Sequence, residues 1–118
     1  MSAAPLDDCV FCSIVAGDLP AETVHSTDHS LAFRDSQPQA PTHVLVVPRA
    51  HHRDAAGLAA ADPIWLADLV GAAATVAEKE GLGGHYRLVF NTGAGAGQSV
   101  FHTHLHLLGG RPLTWPPG

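Results

Sequence analysis

Residues 102–108 alternate histidine with threonine or leucine, and this pattern restricts the segment to one kind of element. In a helix His102 and His106 would share a face while His104 pointed away, because the helical period is 3.6 residues. In a strand all three imidazoles line one face, about 6.6 Å apart, and the residues between them face a core. Glycines on both sides favour the strand. The plain alternatives are surface histidines or a metal site. Three imidazoles in strict alternation favour a functional site, because they are poor core residues: each buried ring nitrogen needs a hydrogen-bond partner.

The composition limits the class of protein. A chain of 118 residues is enough for one domain, and 46% hydrophobic against 14% charged residues argues against intrinsic disorder. The formal charge of −5 argues against binding to nucleic acid or to an anionic membrane. No apolar run approaches the roughly 20 residues of a membrane span, and the first eight residues lack the basic segment of a signal peptide. We therefore expect a cytoplasmic protein that binds neither nucleic acid nor membranes.

Cap and turn residues divide the chain into short elements. Asp8 is placed to cap a first helix that ends at Gly17, and Asp62 followed by Pro63 begins a longer helix that Gly81 ends. Apolar and β-branched runs predict five strands, over residues 21–25, 31–34, 42–47, 86–90 and 100–108. Short connections favour an α+β fold, an antiparallel sheet with two helices packed on it. Residues 1–8 are expected to form a flexible tail and residues 9–118 the domain.

Several other motifs accompany the histidine segment. They are Gln39-Ala40-Pro41-Thr42-His43, Asn91-x-Gly93, Gly97-Gln98-Ser99-Val100, Leu108-Gly109-Gly110-Arg111 and Trp115-Pro116-Pro117-Gly118. Together with His-x-His-x-His they resemble the histidine-triad (HIT) superfamily, and within it the HINT branch of nucleoside phosphoramidases. The resemblance implies a HIT-like fold that forms a homodimer, in which two five-stranded sheets join into one of ten strands. It also implies hydrolysis of purine nucleoside 5′-phosphoramidates to the nucleoside monophosphate, such as AMP, and an amine.

The same resemblance implies roles for individual residues. His104 matches the nucleophile that forms a nucleotidyl-histidine intermediate, and Asp35 matches the acid that binds the ribose. Residues around the phosphate and the leaving group correspond to His43, Asn91, Gly97, Gln98, Ser99 and His106. The apolar slot for the purine corresponds to Val10, Phe11, Ile14, Phe33 and Leu45. In HINT relatives the C-terminal segment reaches toward the partner's active site, so Trp115 is a candidate contact for the leaving group. Ser36 stands where relatives often have an aliphatic residue against the base.

The residue types suit this chemistry without reference to a family. An imidazole is a good nucleophile near neutral pH, because its unperturbed pKa is about 6.5. His106 and His43 can donate to phosphate oxygens, and the glycine-rich loop at residues 93–97 can aim backbone N–H groups at them. Ser99 is placed to pass a proton to a departing amine. The chain has nine histidines against a single lysine, which argues against Schiff-base chemistry.

The pair Cys9-x-x-Cys12 admits three interpretations. A redox motif calls for a βαβ context that the sequence does not show, and two small buried apolar residues are the plain alternative. The third interpretation comes from the resemblance, since some bacterial relatives bind zinc through such cysteines and two histidines. The corresponding histidines are His51 and His102. A Cys₂His₂ set forms a closed structural zinc site, which catalysis does not require.

Other functions remain open at this stage. A dinucleoside polyphosphate hydrolase is one alternative, although the Gln98-Ser99 pair and the C-terminal motif argue against it. A non-catalytic zinc-binding or nucleotide-binding regulator would not need His104, and a zinc hydrolase would need a carboxylate base that the histidine segment lacks. The remaining histidines are expected to be solvated at the surface; they are His25, His29, His52 and His85.

Overall fold

The computed structural model describes residues 8–118, so most of the predicted N-terminal tail lies outside the described residues. Five antiparallel strands form one sheet in the order β1-β2-β3-β5-β4. The elements are α1 Val10–Ala16, β1 Thr23–Ser26, β2 Ser30–Arg34, β3 Thr42–Pro48, α2 Ala55–Ala61, α3 Pro63–Lys79, β4 Tyr86–Val89 and β5 Leu105–Gly109. The predicted α+β fold with a five-stranded antiparallel sheet is confirmed. None of the described helices is long and apolar enough to cross a bilayer.

The central strand β3 is buried along its whole length, because each of its faces packs against a different layer. Val44 and Val46 belong to the core beneath α3. Leu45 and Val47 belong to a second core, formed with Phe11 and other residues of α1 and β2. A strand covered on both faces has an unbroken apolar sequence rather than an alternating one, which is the pattern of residues 42–47.

The sequence predicts two helices, but the described residues contain three. The additional helix, α2, begins after Asp54, whose carboxylate accepts a hydrogen bond from the Gly57 N–H at 2.9 Å. Leu58 is its one buried residue, so the alanine-rich segment shows no helical apolar period. At α1, Cys9 occupies the N-cap position in place of the predicted Asp8, and its Sγ accepts from the Cys12 N–H. The predicted end of α1 at Gly17, with φ of 84°, is confirmed.

The last strand is shorter than predicted. β5 begins at Leu105, and its ladder with β3 ends at the pair Val46–Leu105. Pro48 at the end of β3 has no N–H with which to extend the ladder. The Thr103 N–H donates instead to the carbonyl of His52 at 2.7 Å. Two of the three alternating histidines, His102 and His104, therefore precede the strand, while β1 to β4 agree with the prediction to within two residues.

Candidate active site and metal site

A surface cavity of about 620 Å³ lies between α1, the ends of β2 and β3, and the histidine segment. Its apolar wall contains Phe11 and Phe33, whose rings pack edge to face at 5.6 Å. The predicted site residues that line it are Val10, Phe11, Ile14, Phe33, Asp35, Leu45, Ser99, His104 and His106. A cavity of this size, lined by both apolar and polar side chains, is typical of small-molecule sites. Ser36 also lines it, at the position where relatives often have an aliphatic residue.

The imidazole of His104 is held in one orientation by the backbone. Its Nδ1 lies 2.8 Å from the carbonyl oxygen of His102, which can only accept, so the ring hydrogen is on Nδ1. The ring of Phe11 packs against it edge to face at 5.1 Å. The unshared pair on Nε2 is thereby left for nucleophilic attack, and His104 is 8% exposed, enough to reach the cavity.

A chain of hydrogen bonds sets the tautomers of the two other histidines at this site. The Gln39 N–H donates to Nδ1 of His43 at 3.0 Å, so neutral His43 carries its hydrogen on Nε2. That nitrogen lies 3.0 Å from Nδ1 of His106 and 3.5 Å from Oδ2 of Asp35. His106 therefore accepts on Nδ1 and keeps its own hydrogen on Nε2.

Burial keeps these two imidazoles neutral at physiological pH. Loss of hydration, together with the neighbouring His104 and His43, lowers the pKa of His106 to about 4. The pKa of His43 is also lowered by burial, against an opposing effect of the Asp35 carboxylate. His106 is thus a neutral hydrogen-bond donor through Nε2 at neutral pH.

The glycine-rich loop is folded upon itself. Residues Ala94–Ala96 form one turn of 3-10 helix, flanked by Gly93 and Gly97 with φ of 87° and 94°, a region that favours glycine. The N–H groups of Ala96, Gly97 and Gln98 donate to carbonyls of the same loop. The Gly93 N–H donates to the Gln98 side chain at 2.8 Å. These four amides are therefore engaged within the loop, and the expectation that N–H groups of residues 93–97 face a phosphate stays a prediction.

Gln98 was predicted to bind substrate, but its buried side chain holds the loop together. Its Oε1 accepts from the Gly93 N–H, and its amide nitrogen donates to the carbonyls of Arg53 at 2.7 Å and Val100 at 3.1 Å. Both amide hydrogens are thus used within the protein. The predicted contacts Asn91, Gly97 and Gln98 do not line the cavity, and neither does Trp115, which is 83% exposed.

Ser99 is exposed and lies between two cavities. It lines the cavity of His104 and also a neighbouring one of about 450 Å³, which is bounded by Cys9, His51 and Arg53 among others. The Arg53 guanidinium stacks on the ring of Phe101 at 4.2 Å. A hydroxyl at this junction is accessible to solvent water as well as to a ligand.

Cys9, Cys12, His51 and His102 meet as the resemblance implies, and their ligand atoms all lie within 4.8 Å of one another. Nδ1 of His102 is 3.4 Å from Sγ of Cys9, 3.5 Å from Sγ of Cys12 and 3.2 Å from Nδ1 of His51. A tetrahedral zinc ion bound by sulfur at about 2.3 Å and nitrogen at about 2.0 Å separates its ligand atoms by about 3.3–3.8 Å. The donor set therefore fits zinc.

The environment of His102 also suits a metal ligand. The ring is fully buried, and its Nε2–H donates to the carbonyl of Pro48 at 2.9 Å. This bond leaves the unshared pair on Nδ1, which faces the other three ligands. Burial lowers the pKa of His102 to about 4, so the ring is neutral, as metal binding requires.

The other histidines are less exposed than the sequence predicts, with one exception. The side chain of His52 is 10% exposed, and its Nε2 lies 3.3 Å from Oδ2 of Asp62. His29 stacks on Trp65 at 4.6 Å, and His25 lies 3.0 Å from the Lys79 ammonium. Of these four, only His85 is exposed, as predicted.

Sequence reasoning missed the groups that set the ring orientations. They are the Gln39 N–H and the carbonyls of Pro48 and His102, which belong to the main chain and not to a side chain. Spacing and composition contain no signal for them.

The fold and the site define an α+β domain in which an oriented imidazole, that of His104, faces a surface cavity beside a separate Cys₂His₂ cluster. The sequence of residues 16–113 matches the HIT domain family, and the chain belongs to that family. It is 44% identical over 118 residues to a 14 kDa zinc-binding protein from Zea mays, a match covering 96% of this chain and 91% of that protein.

Solved structures show the same fold. A HIT family hydrolase from Legionella pneumophila Philadelphia 1 is 48% identical, with a TM-score of 0.89, over 94% of this chain and all of that chain (100%). A histidine triad nucleotide-binding protein from Candida albicans is 27% identical, with a TM-score of 0.80, over 92% of this chain and 83% of that chain. The chain thus has the fold of HIT family hydrolases and nucleotide-binding proteins.

Proposed function

We propose that this protein hydrolyses purine nucleoside 5′-phosphoramidates to the nucleoside monophosphate and an amine. The observation that carries the proposal is His104, whose Nδ1–H is held by the His102 carbonyl while its Nε2 is left for attack at the cavity. Apolar side chains line one part of the same cavity, and Asp35 and His106 line another. This division suits a nucleotide, which has an apolar base face at one end and a charged phosphate at the other.

Binding places each part of the nucleotide against a matching group. The purine lies in the slot formed by Phe11, Phe33 and Leu45, and a ribose hydroxyl donates to the Asp35 carboxylate. The phosphate accepts a hydrogen bond from Nε2–H of His106. Because that imidazole is neutral and its other nitrogen is already bonded to His43, the donor is oriented before the substrate arrives.

The reaction then takes two steps. In the first, Nε2 of His104 attacks phosphorus, and the P–N bond breaks with its electron pair going to the amine nitrogen. The Ser99 hydroxyl delivers a proton to that nitrogen and recovers one from solvent water, to which it is exposed. In the second step water attacks phosphorus, the bond to Nε2 breaks, and the proton of the attacking water is released. The positive charge that the His104 ring carries between the two steps is stabilised by the His102 carbonyl.

The leaving group separates this activity from dinucleoside polyphosphate hydrolysis. A polyphosphate departs as a stabilised anion, whereas an amine needs a proton as its bond breaks. The net charge of −5 also gives no general attraction for a highly anionic dinucleotide. We expect kcat/KM for an adenosine 5′-phosphoramidate to exceed that for a diadenosine polyphosphate by at least about 100-fold.

Release of AMP from both substrates, measured on one preparation, tests this expectation. Comparable rates on the two substrates would assign the protein to the polyphosphate hydrolases. Ser99→Ala should slow the release of poorly departing amines more than that of good ones, and Ser99→Thr, which keeps the hydroxyl, is the matched control. An equal loss for all amines would remove Ser99 from the proton transfer.

We also propose that zinc is a structural component, held by Cys9, Cys12, His51 and His102. When bound, it would supply a cross-link between α1, the segment after β3 and the segment before β5. The fit of the donor set and the likeness to a zinc-binding protein from Zea mays support this. Protein purified without chelator should contain about one zinc per chain, and its removal should lower the thermal stability. If protein with reduced cysteines contains no zinc, Cys9 and Cys12 are buried packing residues instead.

The proposal includes a cytoplasmic homodimer in which two sheets join along an edge. β1 and β4 are the two edges of the sheet, and pairing of an edge strand removes an aggregation-prone surface. Exposed Trp115 is then available to the active site of a second copy. Light scattering should give twice the mass of the chain. Deletion of residues 114–118 should change the relative rates of different amines more than the affinity for AMP, whereas an equal loss for all amines would make the segment a hydrophobic plug.

A further inference from the structure

The segment that carries His104 is held by contacts outside the sheet ladder. Thr103 bonds to the carbonyl of His52 through both its N–H, at 2.7 Å, and its hydroxyl, at 3.0 Å. Gln98 bonds to the carbonyl of Arg53 at 2.7 Å. Residues 98–104 are thus fastened to residues 48–53, and the metal ligands of these two segments, His102 and His51, complete the junction.

His102 belongs to the metal cluster and to the active site at once. Its Nδ1 faces the two sulfurs and His51, and its Nε2–H is bonded to the Pro48 carbonyl. Its own main-chain carbonyl, at 2.8 Å, is the acceptor that holds the hydrogen of His104 on Nδ1. A change in the position of His102 therefore moves the group that sets the tautomer of the nucleophile.

A second contact joins the two sites through α1. Phe11 lies between the two cysteines in sequence, and its ring packs edge to face on both His102, at 6.0 Å, and His104, at 5.1 Å. The helix that supplies the sulfur ligands thus also supplies a wall of the active-site cavity. Displacement of Cys9 and Cys12 would displace this wall.

We infer that the occupied cluster holds His104 in its nucleophilic tautomer, so that His102 is a positioning residue for the reaction. Four electron-rich donors are drawn together by a cation, and without it they separate. The His102 carbonyl then moves away from His104, and the hydrogen of that ring is free to shift to Nε2. The unshared pair needed for attack on phosphorus is lost, although the metal takes no part in the chemical step.

The test compares the His104 tautomer in zinc-loaded and zinc-free protein by NMR of isotope-labelled imidazole nitrogens. The NMR readout needs no substrate, so its result does not depend on the proposed function. The inference rests on the proposed function only for the nucleophilic role of His104. Loaded protein should show the hydrogen on Nδ1, and folded zinc-free protein should show a mixture of both tautomers. In parallel, kcat for a phosphoramidate should fall by about tenfold or more with KM changed far less.

Two variants of one residue separate positioning from general stability. His51→Ala removes a ligand without touching His104, and His51→Cys restores a four-ligand set, since the longer Zn–S bond compensates for the shorter side chain. We expect His51→Cys to recover both the zinc content and the tautomer, and His51→Ala to recover neither. Asp68→Ala removes the acceptor of the remote bonds from Thr27 and Ser30 and should lower the melting temperature without changing the tautomer.

The inference is overturned if folded zinc-free protein keeps the hydrogen on Nδ1 of His104. It is equally overturned if zinc-free protein and His51→Ala only unfold, with no folded state of altered tautomer, because the cluster would then serve stability alone. A tautomer change in Asp68→Ala as large as that in His51→Ala would also contradict it.

Discussion

The histidines of the active site are held in two different ways. His106 lies on β5 and is paired with Leu45 of β3, while His43 of β3 is paired with Leu108. Their positions follow from the register of a central, buried strand pair. His102 and His104 precede the strand, and side-chain contacts with residues 48–53 and the cysteines hold them instead.

These two modes of attachment make one part of the site rigid and the other part adjustable. A shift of the strand register by one residue would move every side chain of the strand to the other face. His43 and His106 therefore change position only if the sheet itself does. The contacts of His104 are one hydrogen bond to the main-chain carbonyl of His102 and ring contacts, which single substitutions in the surrounding side chains can displace. The proposed phosphate donor, His106, is thus fixed by the fold, and the proposed nucleophile, His104, by a local set of contacts.

The largest expected effect comes from removing the nucleophile itself. His104→Ala should lower kcat by on the order of 1,000-fold or more, because no other described ring presents a free Nε2 in this position. Nucleotide affinity and melting temperature should stay close to those of the wild type. His85→Ala, at an exposed histidine outside the cavity, is the control. Activity of His104→Ala within tenfold of the wild type would remove the assignment.

A smaller effect is expected from loosening the segment before β5. Gln98→Ala leaves the Gly93 N–H and the Arg53 carbonyl without their partner, which should cost about 1–3 kcal/mol of stability. We expect kcat to fall about tenfold, as His104 loses its position, with little change in KM.

Thr75→Ala is the matched control for Gln98→Ala. It also removes a bond from a side chain to the backbone, that to the Gly71 carbonyl, but on the exposed side of α3. It should leave the rate unchanged. A raised KM in Gln98→Ala at unchanged stability would instead make Gln98 a substrate contact, as the sequence predicts.

The smallest expected effect is the pH dependence of stability that comes from His106. Burial lowers the pKa of His106 to about 4, whereas in the unfolded chain it is about 6.5. Between these values the unfolded state binds more protons, so the free energy of unfolding falls as the pH falls from 6.5 to 4. Above pH 6.5 this contribution is fully present.

Denaturant unfolding at a series of pH values checks this dependence. His106→Asn lacks the titrating group, so its free energy of unfolding should fall less steeply over the same range. Any acid release of metal is common to both proteins and cancels in the difference. Equal slopes for the two proteins would contradict the burial of a neutral His106.

Much of the fold and site could be predicted because the residues responsible for it act through their own side chains, which the sequence shows directly. The run of residues 42–47, the Asp62-Pro63 start of α3 and the glycine at the end of α1 are local signals, and the structure bears them out. The convergence of Cys9 and Cys12 with His51 and His102 follows from the resemblance and is observed.

The remainder depends on packing that no local pattern encodes. Helix α2 has a single buried residue, Leu58, so its apolar period is absent. The alternation of residues 100–108 favours a strand, yet the ladder stops at Leu105, where β3 approaches Pro48. The groups that orient the histidines are main-chain N–H and C=O, which carry no signal of side-chain type.

The central claim is that His104 attacks phosphorus and carries the nucleotide before water does. Rapid quenching of the protein with an adenosine 5′-phosphoramidate, followed by mass spectrometry of its peptides, tests this claim most directly. We predict an adenylyl group on the peptide that contains His104, formed within the first turnover and absent from His104→Ala. AMP release at the normal rate with no adduct, or with the adduct on another residue, would contradict it.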